Sequence, residues 1–286
     1  MTDKRLAFIT GTSSGFGLHA SVALAKRGFF VIATMRDRQK QAPLFTMAEQ
    51  EGVADRIEVV LLDVTDPQTI TEAVNQTVER YGRIDLLVNN AGYAAGGFVE
   101  ELPLDEWRQQ FETNFFGLVE VTRAVLPHMR SRRSGTIINI SSISGRMGFP
   151  GLAPYSASKH AVEGFSESLR LEMLPHGIHV VLIEPGSYRT DIWKKGLAHL
   201  EERPASPYRE QMIRIAAMTE QIMNKAPEPD EVIAAIVKAA ISQRPRLRYP
   251  VGSGVRLSVL AKELLPWGWV ERIIRKRLGS AFSQSD

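Results

Sequence analysis

The chain has 286 residues, 44% of them hydrophobic and 23% charged, a net charge of +3 and no cysteine. Such a composition is globular and long enough for one large α/β domain or two small ones. It excludes disulfides and cysteine–zinc sites, and the small net charge argues against a dedicated nucleic-acid binder.

The N-terminus passes through the charged Asp3-Lys4-Arg5 into a short apolar segment, without the long apolar core of a signal peptide. No stretch has about 18 consecutive apolar residues, so no transmembrane helix is expected and the expected compartment is the cytoplasm. Residues 6–9 read as a buried strand that leads into Thr10-Gly11-Thr12-Ser13-Ser14-Gly15-Phe16-Gly17. A helical pattern follows, with Leu18, Val22, Leu24 and Ala25 on its apolar side and Gly28 as its C-cap. A second strand spans 29–34. Strand, glycine turn, helix and strand open a dinucleotide-binding βαβ unit. Gly11 and Gly15 let the chain turn tightly and approach a pyrophosphate, and Gly17 lets the helix pack closely on the sheet. The phosphates are expected at the helix N-terminus, near unpaired N–H groups and the positive end of the dipole.

The end of the second strand selects the cofactor. An acidic residue there binds the ribose hydroxyls of NAD(H), and an arginine accommodates a 2′-phosphate. Here Met35 aligns with the acidic position and Arg36 follows, which favours NADP(H); Asp37 keeps NAD(H) possible. The pattern then repeats. A strand over 57–62 ends at Asp63, and a helix opens at Asp66-Pro67, an N-cap followed by a first-turn proline. A strand over 84–88 ends in Asn89-Asn90-Ala91-Gly92, helical periodicity covers 103–129, and a strand over 136–140 precedes Ser141-Ser142-Ile143-Ser144-Gly145. A helix over 154–174 stops at Pro175-His176-Gly177, and a strand over 178–183 ends in Glu184-Pro185-Gly186. Regular alternation predicts an α/β fold, a single Rossmann-type doubly wound parallel sheet with helices on both faces and ligands at the carboxyl ends of its strands. His176 and His179 flank a helix-to-strand turn and read as structural; no metal site is expected.

Tyr155 and Lys159 lie four residues apart in the 154–174 helix, on one face. A phenol has a pKa of about 10, and a neighbouring ammonium lowers it. The pair can trade a proton, which is general acid–base chemistry.

Together the motifs Thr10-Gly-x-x-x-Gly15-x-Gly17, Asp63, Asn89-Asn-Ala-Gly92, Asn114, Ser142, Tyr155-x-x-x-Lys159 and Pro185-Gly186 with Thr190 resemble the short-chain dehydrogenase/reductase family over about residues 4–250. The resemblance implies a nicotinamide cofactor, carbonyl/alcohol interconversion, and a homodimer or homotetramer built through the helices near 103–130 and 154–174. It implies that Tyr155 is the acid in reduction and the base in oxidation, and that Lys159 tunes it and holds the nicotinamide ribose. Ser142 would hold the substrate oxygen, with Ser141 and Ser144 as competitors. Asn114 would hold a helix kink and a water near the lysine, or be an ordinary polar helix residue. Cofactor contacts are implied for Gly11, Ser13, Ser14, Gly15, Phe16, Gly17, Arg36, Asp63, Val64, Asn90, Ala91, Gly92, Tyr155, Lys159, Pro185, Gly186 and Thr190, with Asp63 at the adenine unless it caps a helix.

Substrate selectivity is expected from 187–227, read as a lid, where Met212, Ile215, Met218, Ile222 and Met223 form an apolar stripe that either covers a ligand or packs a helix. Ser142, Tyr155, Met147, Phe149, Tyr188 and Trp193 are the expected substrate residues. A small hydrophobic alcohol or carbonyl fits such walls, and the stretch 31–37 is similar to steroid and retinol dehydrogenases of the family. Residues 1–250 form the expected catalytic domain. Residues 251–286 form a basic amphipathic extension split at Pro266 and Gly268 into two helices, suited to peripheral membrane contact, to covering the pocket or to a partner subunit. The alternative function is a catalytically silent NAD(P)-binding redox sensor or scaffold.

Overall fold

The computed structural model describes residues 5–190, 192 and 206–278. Its centre is β1 (Leu6–Thr10), buried along its whole length. Side chains alternate across a strand, so Leu6 and Phe8 feed one core while Ala7 and Ile9 feed the other. Around it lie β2 (Phe30–Met35), β3 (Ile57–Leu61), β4 (Leu86–Asn89), β5 (Gly135–Ile140), β6 (Ile178–Pro185) and β7 (Arg248–Val251). Among the described residues they form one seven-stranded sheet in the order β3-β2-β1-β4-β5-β6-β7, every pairing parallel. The order reverses between β1 and β4, the switch point at which such sheets open a crevice.

Helices cover both faces, as buried parallel strands require. On one side α1 (Gly15–Lys26), α2 (Ala42–Gln50) and α8 (Asp230–Ile241) supply Leu24, Leu44 and Ile236 to the core. On the other, α3 (Pro67–Tyr81), α5 (Gly117–Ser131) and α6 (Ala153–Met173) supply Ile70, Val125 and Leu169. The start of α3 follows the expected chemistry: Asp66 is the N-cap and accepts from Gln68 N at 2.9 Å, with Pro67 in the first turn. Between α4 (Leu104–Phe111) and α5 the helix widens into one π turn, Glu112–Phe116, with Asn114 buried inside it. A widened turn within a helix often marks a functional site.

Several elements were not anticipated. The 3-10 turn Arg38–Gln41 with α2, and the pair α8 and β7, occupy segments in which no element was expected. Val251 belongs to β7, so the sheet runs one residue into the segment read as an extension. Beyond it, α9 (Val255–Leu264) and α10 (Trp267–Leu278) are separated near Pro266 as expected, while Gly268 lies inside α10. Within the segment read as a lid, α7 (Arg209–Lys225) is described. Trp193 lies outside the described residues.

Candidate active site

The carboxyl ends of β1, β2, β4, β5 and β6 surround a cavity of about 1210 Å³. The glycine turn forms one wall. Gly11 has φ +70° and Gly15 has φ +55°, the left-handed region in which glycine carries no side-chain penalty. A Cβ on Gly11 would stand 2.8 Å from Ala91 Cα, and one on Gly17 would stand 2.3 Å from Gly11 O. Neither position has room for a side chain. Ser14 is the N-cap of α1 and makes no side-chain cap bond, so the first N–H groups of the helix retain donor capacity toward the cavity. The residues Gly11, Ser13, Ser14, Gly15 and Phe16 line the cavity, whereas Gly17 sits behind them as a packing position.

The turn after β4 braces this loop. Asn90 Nδ2 donates to Thr10 O and Gly11 O, both at 2.9 Å, and Ala91 N donates to Thr10 Oγ1 at 3.0 Å. Asn90, Ala91 and Gly92 line the cavity, and the Asn90 side chain also holds the glycine turn. Thr190 approaches from the far side; a Cβ on Gly15 would meet its Cβ at 3.8 Å. Pro185, Gly186 and Tyr188 complete that wall. Tyr188 is buried, stands edge-on to Phe16 at 6.1 Å and donates to Glu231 Oε2 at 2.7 Å.

Arg36 leaves the end of β2 exposed, with Nη1 3.9 Å from Asp63 Oδ2. Asp63 Oδ1 accepts from Thr65 N at 2.9 Å and from Thr65 Oγ1 at 2.8 Å, and Asp63 does not cap α3, a role held by Asp66. Val64 lines the cavity beside it. Lys40 also lines this end, beside Arg36, and was not read from the sequence. Helical chemistry after Asp37 was the missed signal: Asp37 Oδ1 accepts from Gln39 N at 2.9 Å and starts a turn that brings Lys40 round.

At the other end Ser142, Tyr155 and Lys159 converge. Ser142 is hydrogen-bonded to the Tyr155 phenol, and Ser142 Oγ accepts from Ser144 N at 3.1 Å. Lys159 Nζ donates to Ile140 O at 2.8 Å and lies 5.8 Å from the Tyr155 ring centre. Burial sets the titration of both groups. It pushes the phenol up to about 12 against the lowering by Ser142, and it pushes the ammonium down to about 8 against the raising by Glu163. The expected depression of the Tyr155 pKa by Lys159 is not what sets this phenol: burial dominates, and the opposing influence is the hydrogen bond with Ser142. Asn114 stands just behind. Its Oδ1 accepts from Tyr93 N at 3.0 Å, and its Nδ2 donates to Tyr93 O at 2.9 Å and to Ser158 Oγ at 3.2 Å. A Cβ on Gly92 would lie 3.1 Å from Asn114 Oδ1 and 3.8 Å from Lys159 Nζ, so these groups share one small volume. Ser158 Oγ in turn donates to Tyr155 O at 2.7 Å.

Two expected substrate residues are elsewhere. Met147 and Phe149 are half-buried but do not line the cavity. The 3-10 turn Ile143–Gly145 and the bond from Met147 N to Ile143 O at 3.1 Å lie between Ser142 and these residues. Of the methionine stripe, Met212 is buried and Ile215 reaches Gly151, where a Cβ would meet its Cδ1 at 3.3 Å; Ile222 is exposed. Tyr208 stacks on Phe98 at 4.5 Å and anchors the start of α7.

Comparison with known proteins gives this arrangement a family. The family described as short chain dehydrogenase matches residues 5–201. The chain belongs to that family. An uncharacterized oxidoreductase YusZ of Bacillus subtilis (strain 168) is 48% identical over 97% of this chain and 100% of its own length. A 3-ketodihydrosphingosine reductase of Bacteroides thetaiotaomicron is 36% identical over 95% of this chain and 97% of its own. Among solved structures, a variant of actinorhodin polyketide ketoreductase with NADPH superposes with a TM-score of 0.76 at 32% identity, covering 88% of this chain and 97% of that one. This short-chain dehydrogenase is an NAD(P)-dependent oxidoreductase acting on CH–OH and C=O groups. The pKa of Lys159 is depressed, so its charge is present below about pH 8 and is lost above it. We expect kcat/KM for the cofactor, which reports the free enzyme, to be level below about pH 8 and to fall above it. A profile level to about pH 10, the ordinary lysine range, contradicts this.

Proposed function

We propose that this enzyme interconverts a hydrophobic carbonyl and its alcohol, steroid-, retinoid- or lipid-like, with NADP(H), and that Tyr155 is its general acid or base. The observation that carries the reading is the meeting, in one cavity, of a side-chain-free glycine turn, the cations Arg36 and Lys40, and the group Ser142, Tyr155 and Lys159. The residues fit a dinucleotide. The turn at Gly11 and Gly15 leaves backbone donors facing the cavity, and the cations stand at the end of β2, where a 2′-phosphate belongs. Asp37, the residue that would favour NAD(H), is engaged with Gln39 N in its own turn. The ketoreductase relative with NADPH adds support.

Bound there, the nicotinamide supplies or accepts the hydride. The protein holds the reacting oxygen between the hydroxyls of Ser142 and Tyr155. As negative charge grows on that oxygen, Tyr155 gives it a proton; in the reverse direction Tyr155 takes one. Lys159 stands beside the phenol, its Nζ 5.8 Å from the ring centre, and Asn114 fixes the loop at Tyr93 on one side and Ser158 on the other. An apolar substrate is supported by the relative named for reducing 3-ketodihydrosphingosine. Exposed apolar side chains at Phe116, just before α5, at Leu171 on α6 and at Leu174 just past it support a homo-oligomer through these helices.

The reading extends to the surface. Residues 251–286 carry six Lys/Arg against three Asp/Glu, a balance equal to the net +3 of the whole chain. Within them Leu257 is 73% exposed, Leu264 80%, Trp267 57% and Trp269 56%, while Val255, Val259 and Val270 are buried and pin the two helices down. Apolar and indole side chains among cations suit the surface of an anionic membrane. Among the described residues no helix is long and apolar enough to cross one.

Tyr155→Phe is expected to lower turnover of a long-chain ketone by at least about 10²-fold, the scale of a lost general acid; near-wild-type turnover rejects the assignment. Arg36→Ala should raise KM for NADPH about tenfold or more, one lost charge-assisted contact, and leave KM for NADH little changed; equal effects on both cofactors would show that Arg36 does not read the phosphate. In flotation with phosphatidylglycerol vesicles, the full chain should rise with the lipid and the double substitution Leu264→Asp, Trp267→Asp should not. Equal behaviour of the two proteins removes the membrane contact.

A further inference from the structure

We infer that Glu163 is a positioning residue of the active site: its buried carboxylate, one helical turn beyond Lys159, holds that lysine as an ammonium. The inference rests on the role given to Lys159 above, and it concerns how a buried lysine stays charged. Tyr155, Lys159 and Glu163 follow one another at four-residue intervals on α6, so they share a face. Glu163 is 5% exposed. Its Oε2 accepts from Arg248 Nε at 3.0 Å, and its Oε1 has no hydrogen-bond partner. A buried carboxylate oxygen without a donor is costly unless a nearby cation favours it. Lys159 gives its hydrogen bond to the neutral carbonyl of Ile140, so its charge needs a counterpart beyond that bond. Glu163 opposes the effect of burial on Lys159.

The packing keeps solvent away from this pair. Gly145 presses on the same turn of α6: a Cβ there would stand 3.0 Å from Lys159 O, 3.1 Å from Glu163 Cγ and 2.7 Å from Ser141 Oγ. The surrounding charges come from every neighbouring element. Arg248 of β7 meets Glu163, Glu184 of β6 at 3.0 Å and Glu167 of α6 at 2.6 Å. Arg146 meets Glu184 at 3.2 Å and also Glu263 of α9. Two guanidiniums thus serve four carboxylates, and Glu184 is 1% exposed. Burial, and then the charge of Glu163, raise the Glu184 pKa. Negative charge is in excess behind Lys159, and Glu163 is the member that shares its helical face.

Lysine labelled with ¹³C at Cε, with Lys159 assigned by its loss in Lys159→Arg, can be titrated in the ligand-free full chain. The wild-type midpoint should lie near 8. In Glu163→Gln it should fall by at least about one pH unit, the lower end of the effect of an adjacent opposite charge. Glu163→Asp should restore most of that loss, and Glu167→Gln should leave the midpoint in place. The alkaline limb of kcat/KM for NADPH should move down with the midpoint in Glu163→Gln. A folded Glu163→Gln with an unmoved Lys159 midpoint overturns the inference. Should that variant not fold, an unmoved midpoint in Glu163→Asp does the same. The titration reads Lys159 without turnover, so its outcome is independent of whether Tyr155→Phe abolishes activity.

Discussion

The close approach of two loops at the switch point is the constraint on which the rest of this structure depends. The glycine turn after β1 and the Asn90-Ala91 turn after β4 touch with almost no intervening space, 2.8 Å from an ideal Cβ on Gly11 to Ala91 Cα. The Asn90 amide ties them by two hydrogen bonds to consecutive carbonyls. With those loops joined, α1 must start at the mouth of the crevice, and Gly92 must face the π turn that holds Asn114. The crevice therefore has one end built of backbone donors and another built of side chains from α6. A parallel sheet supplies both ends from strand termini that all point the same way.

Burial is the second organising influence. It acts in opposite directions on the two members of the central pair, raising the phenol and lowering the ammonium. A site of this kind cannot rely on the Tyr155 and Lys159 side chains alone for its charged states. It needs fixed charges packed behind it, and the cluster around Glu163, Glu184, Arg146 and Arg248 provides them on the side away from the cavity. Buried ion networks of this type are weak evidence for stability, because desolvation cancels much of the attraction. Their presence here is better understood as setting protonation states in the neighbouring α6 turn.

Much of this was legible in the chain itself. The glycine turn, the strand-to-helix alternation and the capping at Asp66-Pro67 are local signals, each tied to a backbone requirement that few residue types meet. The parallel sheet followed from the regular alternation of strands with helices. What escaped were, α2 apart, features decided by packing. The segment holding α2 carries Leu44, Phe45, Met47 and Ala48 at helical spacing, a local signal that was passed over, and Lys40 was missed with it. β7 is four residues long with only Val251 buried, too short to announce itself. Met147 and Phe149 were read as substrate walls from their apolar and aromatic character, and they are not among the residues that line the cavity. The direction of the Tyr155 shift depends on how deeply α6 is covered, which no spacing of residues reveals. Glu163 and Arg248 lie 85 positions apart, so their pairing could not be seen before the sheet was assembled.

The placement of β7 bears on the order in which the molecule is made. Gly186 N donates to Val251 O at 2.9 Å, Val255 fills the space above Gly186, and Gly252 lies against the Tyr188 hydroxyl. Arg248, on the same short strand, is the donor to Glu163. The wall of the cavity opposite the glycine turn is thus clamped by residues that leave the ribosome after the rest of the site. During synthesis the first six strands can pair as they emerge, yet β6 then forms an uncovered edge, with Glu163 lacking its arginine and Glu184 one of its two. Completion of the crevice waits for β7, and a nascent chain stopped short of residue 248 carries nearly every residue of the site without the strand that fixes them in place.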